Sequence, residues 1–422
     1  MRHATVLLSL TLLAAGSLTS GSPASAQDLP TALADAYARS PALEAARADA
    51  DAADARVDQA RAAGGPSARI EAMAGVGRID PGGFFGLTAD QVVPLVAQMT
   101  AEFPLFTGGR VSAAVTQARG GADAARAGLD GTRQQLTVAV VTAYADVLTA
   151  GQMVDNFTRM EAAVSEVVRG ARLRFRVGDA ASTEVAQAEA RLAEARAGLI
   201  GAQGRMATAA AQLERLTGHS TATLAPLGAL PEIPPTLGGA MELARAHNAM
   251  LAQARSGIDA ARAGVRGARA STLPSVGTFV EAAHIRDQFF PNYRADSITI
   301  GARARWTFLD PGASARVREA RASLAASEAR ARTADDAIGQ AVIDAWYGLA
   351  TARGMVAAGR DGVTAAQEAL RATRLEVRVG LKPQLAALDA EREAIAAAAR
   401  LADAEGQMHV AARQLRALTG ME

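Results

Sequence analysis

VAQAEARLAEARAGLIGAQGRMATAAAQLERLTG, residues 185–218, decides the fold of this chain. Its apolar residues return every seven positions. Val185, Leu192, Leu199, Met206 and Leu213 form one seam, and Ala188, Ala195, Ala202, Ala209 and Leu216 form its companion. Residues 387–420 carry the same frame: Ala387, Ala394, Leu401, Met408 and Leu415 beside Ala390, Ala397, Ala404, Ala411 and Leu418. Both units follow a Val-Gly (Val177-Gly178, Val379-Gly380), and both close on Leu-Thr-Gly (Leu216-Thr217-Gly218, Leu418-Thr419-Gly420). An apolar period of seven held this long packs helix against helix as a coiled coil. Its recurrence predicts a chain of two like halves.

Reading outward, helical pattern rich in Ala, Arg, Glu and Gln covers 32–63, 112–176, 182–217, 237–270, 313–378 and 384–419. Turn signals separate these stretches at Gly64-Gly65-Pro66, Gly178-Asp179, Pro231 to Pro235, Thr272 to Pro274 and Gly380 to Pro383. The halves align at a nearly constant offset, Ala60-Arg61 with Ala268-Arg269, Pro66 with Pro274, Ala143-Tyr144 with Ala345-Trp346. Residues 27–220 and 237–422 are thus expected to be structural repeats joined by a linker over 221–236. Residues 112–176 alone would make a helix on the order of 100 Å long. The medium helices placed end to end would match it and make a rod of even height.

Two inserts break the helical pattern in each half. Ile298, Ile300, Ala302, Ala304, Trp306 and Phe308 alternate with Thr299, Gly301, Arg303, Arg305 and Thr307; Ala97, Met99, Ala101 and Phe103 alternate with Gln98, Thr100 and Glu102. Weaker alternation sets Ile70, Ala72, Ala74 and Val76 on one face, and likewise Val276, Thr278, Val280 and Ala282. Strands are expected at about 68–77, 96–106, 275–284 and 297–308, near the ten-residue length that crosses a bilayer. Loops bearing Phe84-Phe85 and Phe289-Phe290 with Tyr293 join each pair. Soluble amphipathic hairpins packed on a helix would share this period, so periodicity alone leaves that alternative open. Four strands cannot close a barrel, and open edges are prohibitive in lipid. Insertion would require chains to pool strands, and a trimer would give about twelve. The fold class is mainly α with membrane β.

Arg2 and His3, the apolar stretch Val6 to Ala15 and the small residues Ala24-Ser25-Ala26 form a secretory signal over 1–26, with Gln27 as the expected mature start. No later stretch is expected to match a membrane helix, since charges interrupt the alanine runs. The chain has no cysteine, which excludes disulfides, thiol chemistry and an acylated N-terminal cysteine. With Lys+Arg at 44 and Asp+Glu at 43, and no basic block, nucleic acid is not an expected partner. His3, His219, His247, His284 and His409 are isolated from one another, and no nucleophile elbow, metal-spaced pair or phosphate loop appears. The Gly-Gly pairs at 64–65, 82–83, 108–109, 120–121 and 238–239 read as turns or close helix contacts. No enzyme, cofactor or metal is expected.

The order helix, two strands, long helix, turn, helix, given twice, resembles the TolC-like outer-membrane efflux protein family across essentially the whole mature chain. Phe103-Pro104-Leu105-Phe106-Thr107-Gly108-Gly109-Arg110 is similar to the family's QPLFDGGR element between strand and long helix. Trp306 to Gly312 is its counterpart. Arg174-Phe175-Arg176-Val177-Gly178-Asp179-Ala180-Ala181-Ser182 resembles the RFxVGxAS turn at the periplasmic tip, with Arg378-Val379-Gly380-Leu381-Lys382-Pro383 as partner. Leu388-Asp389-Ala390 fits the family's LDA.

The resemblance implies a homotrimeric outer-membrane duct whose helical barrel crosses the periplasm. It implies docking on an adaptor protein and an inner-membrane transporter, with passive conduction of small molecules or unfolded protein in efflux or type I secretion. It places adaptor docking at Arg174, Val177, Gly178, Ser182, Arg378, Val379, Gly380 and Leu385, and an acidic ring at Asp389. Where the family often has a second acidic residue the chain has Ala386; Glu184 stands at the equivalent first-half position. Gln98, Glu102, Arg303 and Arg305 would face the barrel lumen. A periplasmic coiled-coil adaptor and a soluble structural rod are the alternative readings.

Overall fold

The computed structural model describes residues 27–80, 82, 90–219, 223–289 and 291–421. The expected signal (1–26) and Phe84, Phe85 and Phe290 of the strand-joining loops lie outside the described residues. Among those described, the first half runs α1 (Leu29–Arg39), α2 (Pro41–Ala62), β1 (Ser67–Ala74), β2 (Gly77–Ile79), β3 (Asp90–Val92), β4 (Leu95–Phe106), α3 (Arg110–Arg176) and α4 (Ser182–Thr217). The second runs α5 (Leu237–His247), α6 (Ala249–Ala270), β5 (Ser275–Arg286), β6 (Arg294–Arg305), α7 (Ala313–Arg378) and α8 (Gln384–Thr419).

The two expected medium helices, 32–63 and 237–270, are each broken near their start. Pro41 forces Ser40 out of helical geometry (ψ 113°), and the Ser40 hydroxyl accepts from the Leu43 N–H at 3.3 Å. The second break uses no proline. Asn248 adopts ψ 128°, its Oδ1 accepts from the N–H groups of Met250 (3.0 Å) and Leu251 (3.3 Å), and its Nδ2 donates to the Leu418 carbonyl at 3.0 Å.

Helix packing follows the heptads. In α4 the alanine seam is the tight one: Ala188, Ala195 and Ala202 are fully buried, while Val185, Leu192 and Leu199 are half-buried. Small residues let the axes approach, so each contact contributes little and the number of contacts holds the rod. The long helix α3 packs on α2 and α6 toward the sheet and on α4 and α8 toward the other end, and α7 packs on α6 and α8. The described chain is thus a layer four helices wide, α2–α3–α6–α7 above and α4–α3–α8–α7 below, with flanks left open. Exposed Tyr347 and Met355 lie on α7.

Two larger cores mark the middle of the rod. One joins α1, α3 and α4 through Ala32, Ala36, Val140, Tyr144 and Leu213. The other joins α5, α7 and α8 through Ala244, Val342, Leu349 and Leu415. The connecting segment straps both, with Leu224 and Leu227 on the first core and Leu230 and Ile233 on the second. Buried Tyr144 donates its hydroxyl to the Ala225 carbonyl at 2.6 Å, tying α3 to this strap. The sequence reading held no stretch apolar enough for a membrane helix, yet α3 contains one by length and composition. Its Val140, Tyr144 and Val147 are buried in the core shared with α1 and α4.

The strands form a four-stranded sheet in the order β1-β4-β5-β6, antiparallel throughout, plus a short β2-β3 ribbon. The bounds differ from expectation by three residues in three places, one of them the start of β6 at Arg294. β1 stops at Ala74, where the Gly75 N–H turns to the Pro94 carbonyl (3.1 Å). β6 stops at Arg305, paired with Ser275, because Pro274 before it has no N–H to continue the ladder. Trp306 and Phe308 therefore lie beyond the strand, with Trp306 Nε1 donating to the Thr272 carbonyl at 3.1 Å.

Gly120 and Gly121 make a direct test of the packing. A Cβ at Gly120 would lie 2.9 Å from the Ser256 carbonyl oxygen and the Ala260 nitrogen of α6, whereas one at Gly121 meets nothing within 4 Å. Gly120→Ala is expected to destabilise by about 1–3 kcal/mol through forced separation of α3 and α6. Gly121→Ala is expected to be neutral or to stabilise by up to about 1 kcal/mol through helix propensity. Thermal unfolding followed by helical circular dichroism reads both; equal effects would contradict the packing described.

Candidate functional site

Register sorts the sheet into two faces. Ile70, Met99, Ala282 and Ile298 occupy one rung, and Ala68, Ala101, Val280 and Ile300 the next. These side chains point to one face, where Ile70 (75%), Ile298 (78%) and Ile300 (75%) are exposed. A contiguous apolar sheet face open to this degree marks an interface with lipid or protein. His284 stands on the same face nearer the loop end, its Nδ1 2.6 Å from Asp296 Oδ1, a pairing that the sequence reading did not anticipate.

The opposite face is polar, and three of its four expected residues come together. Arg303 reaches Glu102 (2.9 Å) and Glu281 (3.6 Å), Gln98 Nε2 donates to Glu281 at 2.7 Å, and the guanidinium lies 4.3 Å over the Phe279 ring. Glu281 is the member missed from sequence, although its place in the β5 alternation opposite Val280 and Ala282 was visible. Arg305 stands one strand position beyond this network, at the end of β6.

The two strand-to-helix junctions use different chemistry. In the first, Pro104 sits at an irregularity in the β4–β5 ladder, Leu105 and Phe106 are exposed, and Gly108 and Gly109 both take positive φ (63° and 84°) before Arg110 opens α3. Gly108 also passes so close to the other half that a Cβ would lie 2.8 Å from Leu273 Cβ. In the second, Gly312 has an ordinary φ of −80° and its N–H donates to Asp310 Oδ1 at 2.9 Å. Asp310 also pairs with Arg316, and that bond with the Gly312 N–H holds its carboxyl below the usual range.

At the far end both long helices stop identically. Gly178 and Gly380 adopt φ 80°, with N–H groups donating to Phe175 and Val377, and the following residues donate back to Arg174 (2.9 Å) and Glu376 (2.8 Å). This paired closure satisfies the last carbonyls and needs glycine at the left-handed position. Around it Val177 (79%), Val379 (68%) and Leu381 (77%) are exposed, Ser182 opens α4, Leu385 is half-buried and Arg378 is exposed. Glu184 is paired with Arg174. Asp389 projects beside buried Leu388, and its Oδ1 lies 3.4 Å from Nη2 of Arg191 on α4, which also holds Glu194 at 2.9 Å. Sequence periodicity gives no sign of Arg191, because this contact crosses between the two halves.

Higher on the rod, Asp146 of α3 and Asp403 of α8 line one cavity of about 310 Å³ with Thr142, Thr149 and Gln407. Burial first, and then Asp403, raises the Asp146 carboxyl above its ordinary value. Neither residue was singled out from sequence.

The chain matches the outer membrane efflux protein description over residues 32–219 and 240–421. The chain belongs to the outer membrane efflux protein family. It is 29% identical over 417 residues to the outer membrane efflux protein BepC of Brucella suis biovar 1, covering 98% of this chain and 90% of that one. It is 28% identical to the proteases secretion protein PrtF of Dickeya chrysanthemi, over 62% of this chain and 58% of that protein. The fold is similar to the CmeC outer membrane channel of Campylobacter jejuni, with TM-score 0.82, 13% identity and coverage of 93% and 85%. The protein is accordingly an outer-membrane protein with a large periplasmic helical part, in a family of channels and not of enzymes. That localisation sets aside the soluble rod and the periplasmic adaptor.

Two outcomes follow from these geometries. Gly178→Ala and Gly380→Ala each place a Cβ in left-handed backbone, at about 1–2 kcal/mol. Faster amide hydrogen exchange confined to the tip is expected, and unchanged exchange there would contradict the helix closure described. For Asp146 the raised folded pKa means that ionisation opposes folding. This penalty is absent below the unfolded value of 3.8 and sets in as pH rises through the raised folded value. Asp146→Asn should therefore unfold at higher temperature than the parent at pH 7, with the gap closing by about pH 3.5.

Proposed function

We propose that three copies of this chain form the exit duct of a tripartite efflux or type I secretion system, passively conducting cargo delivered by an inner-membrane transporter. The observation that carries this reading is the open four-stranded sheet. Among the described residues both outer strands, β1 and β6, keep an unpaired edge, and one face is apolar and exposed. In lipid each unpaired backbone group costs several kcal/mol, so an outer-membrane sheet must close. Because four strands alternate in direction, β1 and β6 run oppositely. Joining β6 of one copy to β1 of the next stays antiparallel all round, giving a barrel of about twelve strands. The open flanks of the helical layer, α7 on one side and α2 with α4 on the other, support the same closure below.

The matched halves, 27–220 and 237–422, supply the two sets of strands and helices as structural repeats. Small residues and exposed Val177, Val379 and Leu381 at the tip suit docking by an adaptor's helical hairpin. Arg174, Gly178, Ser182, Arg378, Gly380 and Leu385 complete that surface. Asp389, one per copy, forms the constricted entrance, and Arg191 latches it to α4 across the seam; Glu184 is spent on Arg174 and adds little. PrtF, named for protease secretion, supports the secretion branch, and BepC, named for efflux, supports the other.

Outer-membrane fractionation with an unheated gel should give a heat-sensitive trimer band, and a monomer there would sink the duct. In planar bilayers Arg191→Ala should raise open probability roughly threefold to a hundredfold, since three exposed pairs of about 0.2–1 kcal/mol each act on one equilibrium. High salt should reproduce part of that rise in the parent protein. Asp389→Ala should both open the entrance and reduce preference for cations.

A further inference from the structure

We propose that the periplasmic end of the sheet's polar face carries an arginine collar that attracts carboxylate- or phosphate-bearing cargo, so that the duct favours anions there while its tip favours cations. This inference rests on the duct reading above.

The collar is built around Arg303. Gly301 leaves room for the Phe279 ring, since a Cβ at 301 would sit 3.2 Å from it, and Arg303 stacks on that ring at 4.3 Å. Arg303 then occupies both Glu102 and Glu281, while Gln98 satisfies Glu281 from the other side. Both nearby carboxylates are committed to this one guanidinium. Arg305, at the last position of β6, and Arg110, at the first position of α3, have no carboxylate partner among the described residues. All three arginines line one cavity of about 300 Å³, walled by Phe106 and Phe279, in which Glu102 is the only acidic residue.

The balance is therefore positive. Arg110, Arg303 and Arg305 stand against Glu102 and Glu281, which leaves +1 per copy and two guanidinium groups without a counter-ion. A guanidinium fork matches carboxylate and phosphate geometry, and low-dielectric walls concentrate its field. Because Arg303 and Arg305 lie on the polar face, opposite Ile298 and Ile300, the collar meets material inside the duct and not lipid headgroups outside it. Arg69, on the same face, is matched by Glu71 at 3.6 Å and adds no net charge.

The test uses the purified full-length protein in planar bilayers, with cation-to-anion permeability ratios from a potassium chloride gradient and citrate as a blocking probe. Arg110→Gln with Arg305→Gln should raise the cation-to-anion ratio at least about twofold and weaken citrate block at least about threefold. The corresponding lysine pair should retain most of the parent behaviour. Arg305→Gln alone should give about half the effect; its side chain has no other tie to lose, so it serves even if the double variant does not assemble. Asp389→Asn should lower the cation preference without changing citrate block from the extracellular side. Pores whose ratio and citrate block ignore the Arg110 and Arg305 substitutions, or a parent pore that citrate does not block, would overturn the collar. A parent protein that forms no pore would overturn the duct reading itself.

Discussion

An open strand edge, which hydrocarbon cannot accommodate, is the constraint on which the duct reading of this architecture depends. The outward-pointing backbone N–H and C=O groups of β1 and β6 meet no further strand among the described residues, and hydrocarbon would offer them no partner. A chain contributing four strands is therefore incomplete by itself, whatever its helices do. The helices share that incompleteness, since among the described residues α7 on one flank and α2 with α4 on the other have no further helix beside them. The sheet rungs set apolar Ile70, Met99 and Ile298 on one side and the Gln98–Glu281–Arg303–Glu102 network on the other. One closure would satisfy edges, flanks and faces together, which is why the trimer is the economical reading of all three.

Much of this was legible in residues alone because its causes are local. The heptads gave both helices; in α4 the alanine seam is buried over Ala188, Ala195 and Ala202, whereas in α8 burial also falls on Leu388, Ala402 and Ala412, outside both seams. Gly178, Gly380, Gly218 and Gly420 each fall at a helix end with positive φ, where glycine is the residue that fits. The Gly108-Gly109 pair reads the same way. What was not legible depends on partners distant in sequence. The break at Asn248 carries no proline and is stabilised by Leu418, in the last helix. β6 ends at Arg305 because of a proline on the opposite strand, although its own alternation continues to Phe308. Asp389 was visible as a carboxylate beside a seam, but the Arg191 that holds it belongs to the other half. Asp146 and Asp403 come together only where α3 meets α8.

The charges that remain unpaired are placed unevenly along the rod. Near the tip, arginines answer carboxylates nearly one for one: Arg174 with Glu184, Arg172 with Glu189, Arg374 with Glu391, Arg191 with Asp389 and Glu194. Each exposed pair is weak, but opposed pairs on adjacent helices fix which helices can separate without leaving a charge alone. Toward the sheet the balance shifts to surplus arginine. A formal net charge of +1 for the whole chain therefore hides a gradient.

Packing does not follow that gradient. The middle of the rod is held by large buried groups, Tyr144, Leu213, Leu349 and Leu415, which interlock and resist displacement. Below it, Ala188 and Ala195 of α4 pack against Met160, Val164, Val168 and Ala171 of α3 and Leu388 of α8, with Phe157, Leu192 and Ile395 beside them, so apolar side chains interlock toward the tip as well. If the tip opens as the duct reading requires, the ion pair between Arg191 and Asp389 and the apolar contacts of Leu388 would both have to give way, so charge and packing act on the same step.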